Sequence, residues 1–169
     1  MSRPVETESA IFQVEGETVG RVIEGADSGV LRVAVAEDYG GLSSVMREVI
    51  DRTPQMTCCG CFASGSDLIE KVGELQPDIV SLDLSMPEMN GFEVLKRLRE
   101  VVPEIGCLVF SGFAEEEYVR GAFAAGAQGY IFKEDFREFI DGIREVAAGR
   151  RFLSSRFAAI EGLMPDTLS

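Results

Sequence analysis

From Leu31 onward, short apolar runs alternate with segments whose apolar residues recur at helical spacing. The runs predict strands over Leu31–Ala36, Met56–Phe62, Asp78–Asp83, Gly106–Ser111 and Gly129–Phe132. Ile79-Val80 with Leu82, and Cys107 to Phe110, are near-continuously apolar, as strands covered on both faces are. Between the runs, Leu42, Val45, Met46 and Val49 mark a first helix, Leu68, Val72 and Leu75 a second, and Leu95, Leu98 and Val102 a third. A fourth is short and alanine-rich, around Tyr118 to Ala125, and Phe136, Phe139, Ile140 and Ile143 stripe a fifth. Asp135, with Glu138 three residues on, has the spacing of a capping box opening that fifth helix. Strands and helices in strict alternation are βα units, so the expected class is α/β, a small doubly wound parallel sheet of five strands. Such sheets bind ligands beyond the carboxyl ends of their strands.

The flanks read differently. Residues 1–30 form an N-terminal extension with only short apolar runs, Ile11 to Val14 and Val19 to Ile23, which fit a hairpin or a flexible arm equally. The globular span is 31–154, and 155–169 is a tail with one short helix expected over Phe157 to Met164 before Pro165.

Charge narrows the function. Lys and Arg total 16 against 29 Asp and Glu, a net charge of −13, and the chain has no histidine. The acidity argues against nonspecific nucleic-acid binding and against anionic membranes, both of which need Lys and Arg. The missing histidine excludes a Ser-His-Asp triad, a Cys-His pair, histidine zinc sites and a phosphohistidine carrier. Neither a secretory signal nor an apolar run of about 20 residues is visible, so a cytoplasmic location with reduced thiols is expected. Three cysteines cluster as Cys58-Cys59-Gly60-Cys61. A metal site there lacks a second ligand pair, and the preferred reading is small apolar residues on a buried strand.

Polar groups gather at the strand ends. Glu37 and Asp38 follow the first strand, Asp83 and Ser111 end the third and fourth, and Lys133 follows the fifth. In the expected sheet all five converge on one edge. Carboxylates crowded together raise one another's pKa unless a cation neutralises them, and Mg²⁺ suits one to three carboxylates plus a phosphate oxygen. Lys133 supplies a compact positive charge for a phosphoryl oxygen, Ser111 a hydroxyl donor, and a carboxylate can be the nucleophile. Phosphoryl transfer needs mostly positioning and charge neutralisation, which this set can provide.

The ordered motifs Val33 to Asp38, Pro77 to Pro87, Met89 to Glu93, Val109 to Gly112 and Ala124 to Lys133 resemble the receiver domain of bacterial response regulators, the CheY-like fold. Gly126-Ala127-Gln128-Gly129-Tyr130 and Ala147 to Ser154 look most like the NarL/FixJ branch. The resemblance implies flavodoxin-like strand order 2-1-3-4-5 and a phosphorylation-dependent switch, not an enzyme acting on other substrates. It implies Asp83 as phosphoacceptor, Mg²⁺ held by Glu37, Asp38, Asp83 and the Ser85 backbone carbonyl, and Ser111 and Lys133 on the phosphoryl group. Ser111 and Tyr130 would form the switch pair, Tyr130 turning inward as Ser111 is drawn away. A sensor histidine kinase or phosphotransfer protein would be the donor, and output would pass through protein contact, a homodimer being left open. Members of that branch usually carry a DNA-binding domain after the receiver, and no basic recognition helix stands in 155–169. A stand-alone receiver and the receiver of a shortened regulator both fit, as does a phosphorylation-independent scaffold. A phosphatase with an Asp nucleophile is disfavoured, because Ser85 stands where such enzymes need a second acid.

Overall fold

The computed structural model describes residues 12–14, 17–19, 29–160 and 162–163. Phe12–Val14 (β1) and Glu17–Val19 (β2) pair antiparallel, Val14 opposite Glu17. The second strand thus begins before the apolar run Val19 to Ile23, as the register with Val14 opposite Glu17 shows. The flexible-arm reading falls on residues outside those described.

The main sheet is Leu31–Ala36 (β3), Met56–Phe62 (β4), Ile79–Leu82 (β5), Gly106–Ser111 (β6), Gly129–Phe132 (β7) and Phe152–Leu153 (β8), in the order β4-β3-β5-β6-β7-β8. All its pairings are parallel. The five expected strands therefore take the expected order, and a sixth closes the far edge. At two residues β8 is too short to show a period, and it exists through its pairing with β7.

Alternation along the strands fills two cores. Val33, Val35, Leu108, Phe110 and Ile131 pack with Met46 and Ile50 of α1 (Gly40–Arg52) and Phe139, Ile143 and Val146 of α5 (Phe139–Ala147). Ala34, Ala36, Val80, Leu82, Cys107, Val109, Tyr130 and Phe132 face the other way. They meet α2 (Gly65–Leu75), α3 (Gly91–Val101) and α4 (Glu116–Ala124) through Leu68, Val94, Leu95, Leu98, Val119 and Phe123. Helices on both sides bury the polar backbone of the sheet and leave its carboxyl edge open for chemistry. Among the described residues, no helix is long and apolar enough to cross a membrane.

Two expectations need correction. The capping box does not form: Lys133–Glu138 is a 3₁₀ turn before α5, and its carboxylates reach the tail instead. Asp135 Oδ2 accepts from Arg156 Nε at 3.1 Å, and Glu138 accepts from the Ser155 amide at 3.0 Å and the Ser155 hydroxyl at 2.5 Å. Nor does a helix run from Phe157 towards Met164; Ser155–Phe157 is a single 3₁₀ turn. Phe157 and Leu163 are both 2% exposed in the same core. Residues six apart on a helix point roughly 120° away from each other, so the backbone abandons the helix to bury both.

Candidate functional site at the carboxyl edge of the sheet

Each acidic side chain owes its place to a strand end. Glu37 leaves β3 with its amide held by the Phe62 carbonyl at 2.9 Å, and Asp83 leaves β5 with its amide on the Ala36 carbonyl at 2.9 Å. The two main chains are thus stitched side by side where the side chains emerge. Glu37 and Asp83 are both 3% exposed, whereas Asp38 is exposed, and oxygens of the three carboxylates lie within 4.8 Å of one another.

Lys133, directly after β7, swings over this cluster. Its Nζ lies 2.8 Å from Glu37 Oε2 and 3.2 Å from Asp83 Oδ2. The other Asp83 oxygen, Oδ1, accepts the Ser85 amide at 3.0 Å, and Glu37 Oε1 accepts the Tyr39 amide at 3.2 Å. Burial, reinforced by the Asp83 charge, raises the Glu37 carboxyl above its ordinary value despite the Lys133 contact. Burial works against the Lys133 charge too, but the Glu37 contact and the Asp83 charge outweigh it and hold the ammonium above its usual value.

Three carboxylates against one ammonium leave the edge about two negative charges in excess. Glu37 Oε2 is buried and has no donor in hydrogen-bond geometry, its approach to Nζ being an ion pair only. An oxygen so left, beside two more carboxylates, fits a hard divalent cation.

Ser111 ends β6 fully buried, and its Oγ accepts the Phe113 amide at 3.1 Å. Tyr130 is fully buried as well, its hydroxyl donating to the Phe113 carbonyl at 2.7 Å. The inward position expected only after a switch is therefore the one Tyr130 holds, with the Phe157 ring edge-on at 5.8 Å. Burial pushes its phenol up to about 12. Glu37, Asp38, Asp83 and Lys133 thus meet in one cluster, Ser85 joins it through its amide, and Ser111 and Tyr130 share the Phe113 backbone.

The tail partners of this edge, Arg156 and Phe157, gave no sequence signal, because an isolated Arg-Phe has no period. The cysteines gave one that the strand reading passed over: Cys58-Cys59-Gly60-Cys61 contains a Cys-x-x-Cys.

Residues 33–144 match the model of the response regulator receiver domain family. The chain is 33% identical over 129 residues to the nitrate/nitrite response regulator protein NarL of Escherichia coli, covering 76% of this chain and 60% of that one. It is likewise 33% identical over 130 residues to the transcriptional regulatory protein YxjL of Bacillus subtilis, with the same shares covered. Among solved structures, a LuxR-family two-component response regulator from Aurantimonas superposes with a TM-score of 0.72 at 29% identity, covering 75% of this chain and 91% of that one. The match takes in about 60% of the length of these curated relatives.

Proposed function

Because the chain belongs to the response regulator receiver domain family, we propose that it is a phosphorylation-dependent switch of a two-component system, with Asp83 as the phosphoacceptor. One observation carries this reading. Asp83 is buried at a strand end with one oxygen held by the Ser85 amide and the other against Lys133. A carboxylate so oriented presents a lone pair in a fixed direction, and the ammonium beside it meets the charge that builds on a phosphoryl group.

In the step itself, an Asp83 oxygen bonds to phosphorus as the donor's P–N or P–O bond breaks, and the leaving group departs with the electron pair. Lys133 moves from bridging two carboxylates to holding a phosphoryl oxygen. Ser111 donates its hydroxyl to another. Glu37, Asp38, Asp83 and the Ser85 carbonyl would hold Mg²⁺, which supplies charge neutralisation between the carboxylates and the entering phosphate. Loss of Lys133 from Glu37, together with the new oxygens near Ser111, pulls on the Phe113 backbone that also holds Tyr130. That gives the surface formed by α4 and β7 its means of response. A sensor histidine kinase or phosphotransfer protein serves as donor, a protein partner reads the output, and the exchange takes place in the cytoplasm.

Incubation with acetyl phosphate and Mg²⁺ should add one phosphoryl group by intact mass, and Asp83→Asn should abolish it. A labelled Asn variant, or a wild type that stays unlabelled with acetyl phosphate, phosphoramidate and a phosphorylated histidine kinase alike, overturns the assignment.

A further inference from the structure

Residues three apart on a regular strand point to opposite faces of the sheet. β4 is not regular: Cys58 pairs with Val33 while Gly60 pairs with Ala34, so Cys59 is the extra residue of a bulge. Alternation restarts one step late, and Cys61 returns to the face that holds Cys58. Both pack on the α1/α5 side, while Cys59 packs on the other. The two sulfurs come within 3.6 Å, and both are free thiols.

Their surroundings differ. Cys58 is 8% exposed, its amide donating to Asp51 Oδ1 at 2.7 Å and its thiol facing the Gly60 carbonyl at 3.5 Å. Cys61 is half-buried, and its sulfur accepts from Arg47 Nε of α1 at 3.5 Å. The Cys58 thiol as donor and the Arg47 guanidinium together pull Cys61 down to about 5, while the same pairing and burial push Cys58 up. One sulfur is thus prepared as a thiolate nucleophile, and the other is kept protonated beside it. A metal reading lacks ligands: among the described residues the acidic cluster is the one group of three or more side chains able to hold an ion.

We propose that Cys58 and Cys61 are a redox-active dithiol that a hydroperoxide converts into an intramolecular disulfide. The Cys61 thiolate attacks the terminal peroxide oxygen, forming an S–O bond as O–O breaks, and the departing oxyanion takes a proton from solvent. The Cys58 sulfur then attacks the Cys61 sulfenyl sulfur; S–S forms, S–O breaks, and the leaving hydroxide takes the Cys58 proton as water. Two electrons pass in all from the thiols to the peroxide. The sulfurs must approach by about 1.5 Å to reach an ordinary S–S bond of about 2.05 Å. β4 is the edge of the sheet, paired on one side only, and its bulge can take up that movement.

The test treats the whole chain with hydrogen peroxide, followed by alkylation in denaturant, which opens the buried Cys107 to the reagent, then intact mass and peptide mapping. The expected product has lost two hydrogens, carries a Cys58–Cys61 link, leaves Cys59 and Cys107 alkylatable, and reverts with dithiothreitol. Cys58→Ser should stop at a sulfenic acid on Cys61, trapped by dimedone, and Arg47→Gln should slow the first step roughly tenfold. Cys59→Ser should react as the wild type does. First oxidation at Cys59, a disulfide formed only between chains, or a reduced pair persisting while Cys59 is consumed overturns the proposal.

Discussion

Tyr130 is sealed under Phe157 with its hydroxyl on the Phe113 carbonyl, so substituting it tests both the bond and the burial. Tyr130→Phe should cost about 1–2 kcal/mol at pH 7, since the part-buried Phe113 carbonyl loses its donor. The phenol's folded pKa, about 12, lies above the ordinary value near 10, so its contribution is complete below pH ~10 and is lost as pH rises towards 12. Phenylalanine has no proton to lose, and the gap between variant and wild type should narrow between pH 10 and 12. Urea unfolding at pH 7 and pH 11 checks this; a gap that widens means the hydroxyl is not the buried donor. The side chains of the cluster were legible because Glu37, Asp38, Asp83 and Lys133 each adjoin a strand end, and position along the chain already decides which edge they reach. Tyr130's rotamer was not, because it depends on a tail residue with no pattern of its own. Nor was the common face of Cys58 and Cys61, which a bulge creates and strict alternation denies.

The element that carries Asp83 into position is the β5–α3 connection. Asn90 caps α3 by accepting the Glu93 amide at 3.0 Å, and the Gly91 amide donates to the Leu84 carbonyl at 3.1 Å. A Cβ on Gly91 would lie 2.5 Å from Leu84 Cα and 3.0 Å from the Asp83 carbonyl oxygen, both backbone atoms that can yield only if the loop moves. Gly91→Ala should therefore destabilise by about 1–3 kcal/mol and slow labelling of Asp83 by acetyl phosphate. Gly73, inside α2, meets nothing within 4 Å, so Gly73→Ala should stabilise by about 0.5–1 kcal/mol with labelling unchanged. Equal effects at the two glycines would refute the close-approach argument. Elements with a long period or two-sided burial were readable, as β3, β5, β6 and the helices show. The capping box that the Asp135/Glu138 spacing suggests does not form, because both carboxylates are engaged by Arg156 and Ser155, more than fifteen residues away in sequence.

At the scale of the molecule, the tail binds parts that the βα repeat leaves separate. Arg156 stacks 3.8 Å over the Phe132 ring and pairs with Asp135, Arg120 of α4 donates to the Gly162 carbonyl at 2.8 Å, and Phe157 and Leu163 enter the core. Two kinds of force could hold it there, and they predict different variants. Arg156 is 34% exposed, with Glu134 at 76% and Asp135 at 14%, so solvent and salt weaken these ion pairs and Arg156→Ala should cost about 1–2 kcal/mol, cation–π contact included. Phe157 is almost fully enclosed, and its removal leaves a cavity against Tyr130 that tail and sheet cannot both move to fill. Phe157→Ala should cost about 3–4 kcal/mol, lowering the urea midpoint with little change in slope. High salt should shrink the Arg156 effect and leave the Phe157 effect intact, because burial of an aromatic ring does not depend on screening. If the Arg156 variant proved the more damaging, or if salt erased the Phe157 effect, the tail would be an ionic strap and not an apolar plug on the face that bears Tyr130.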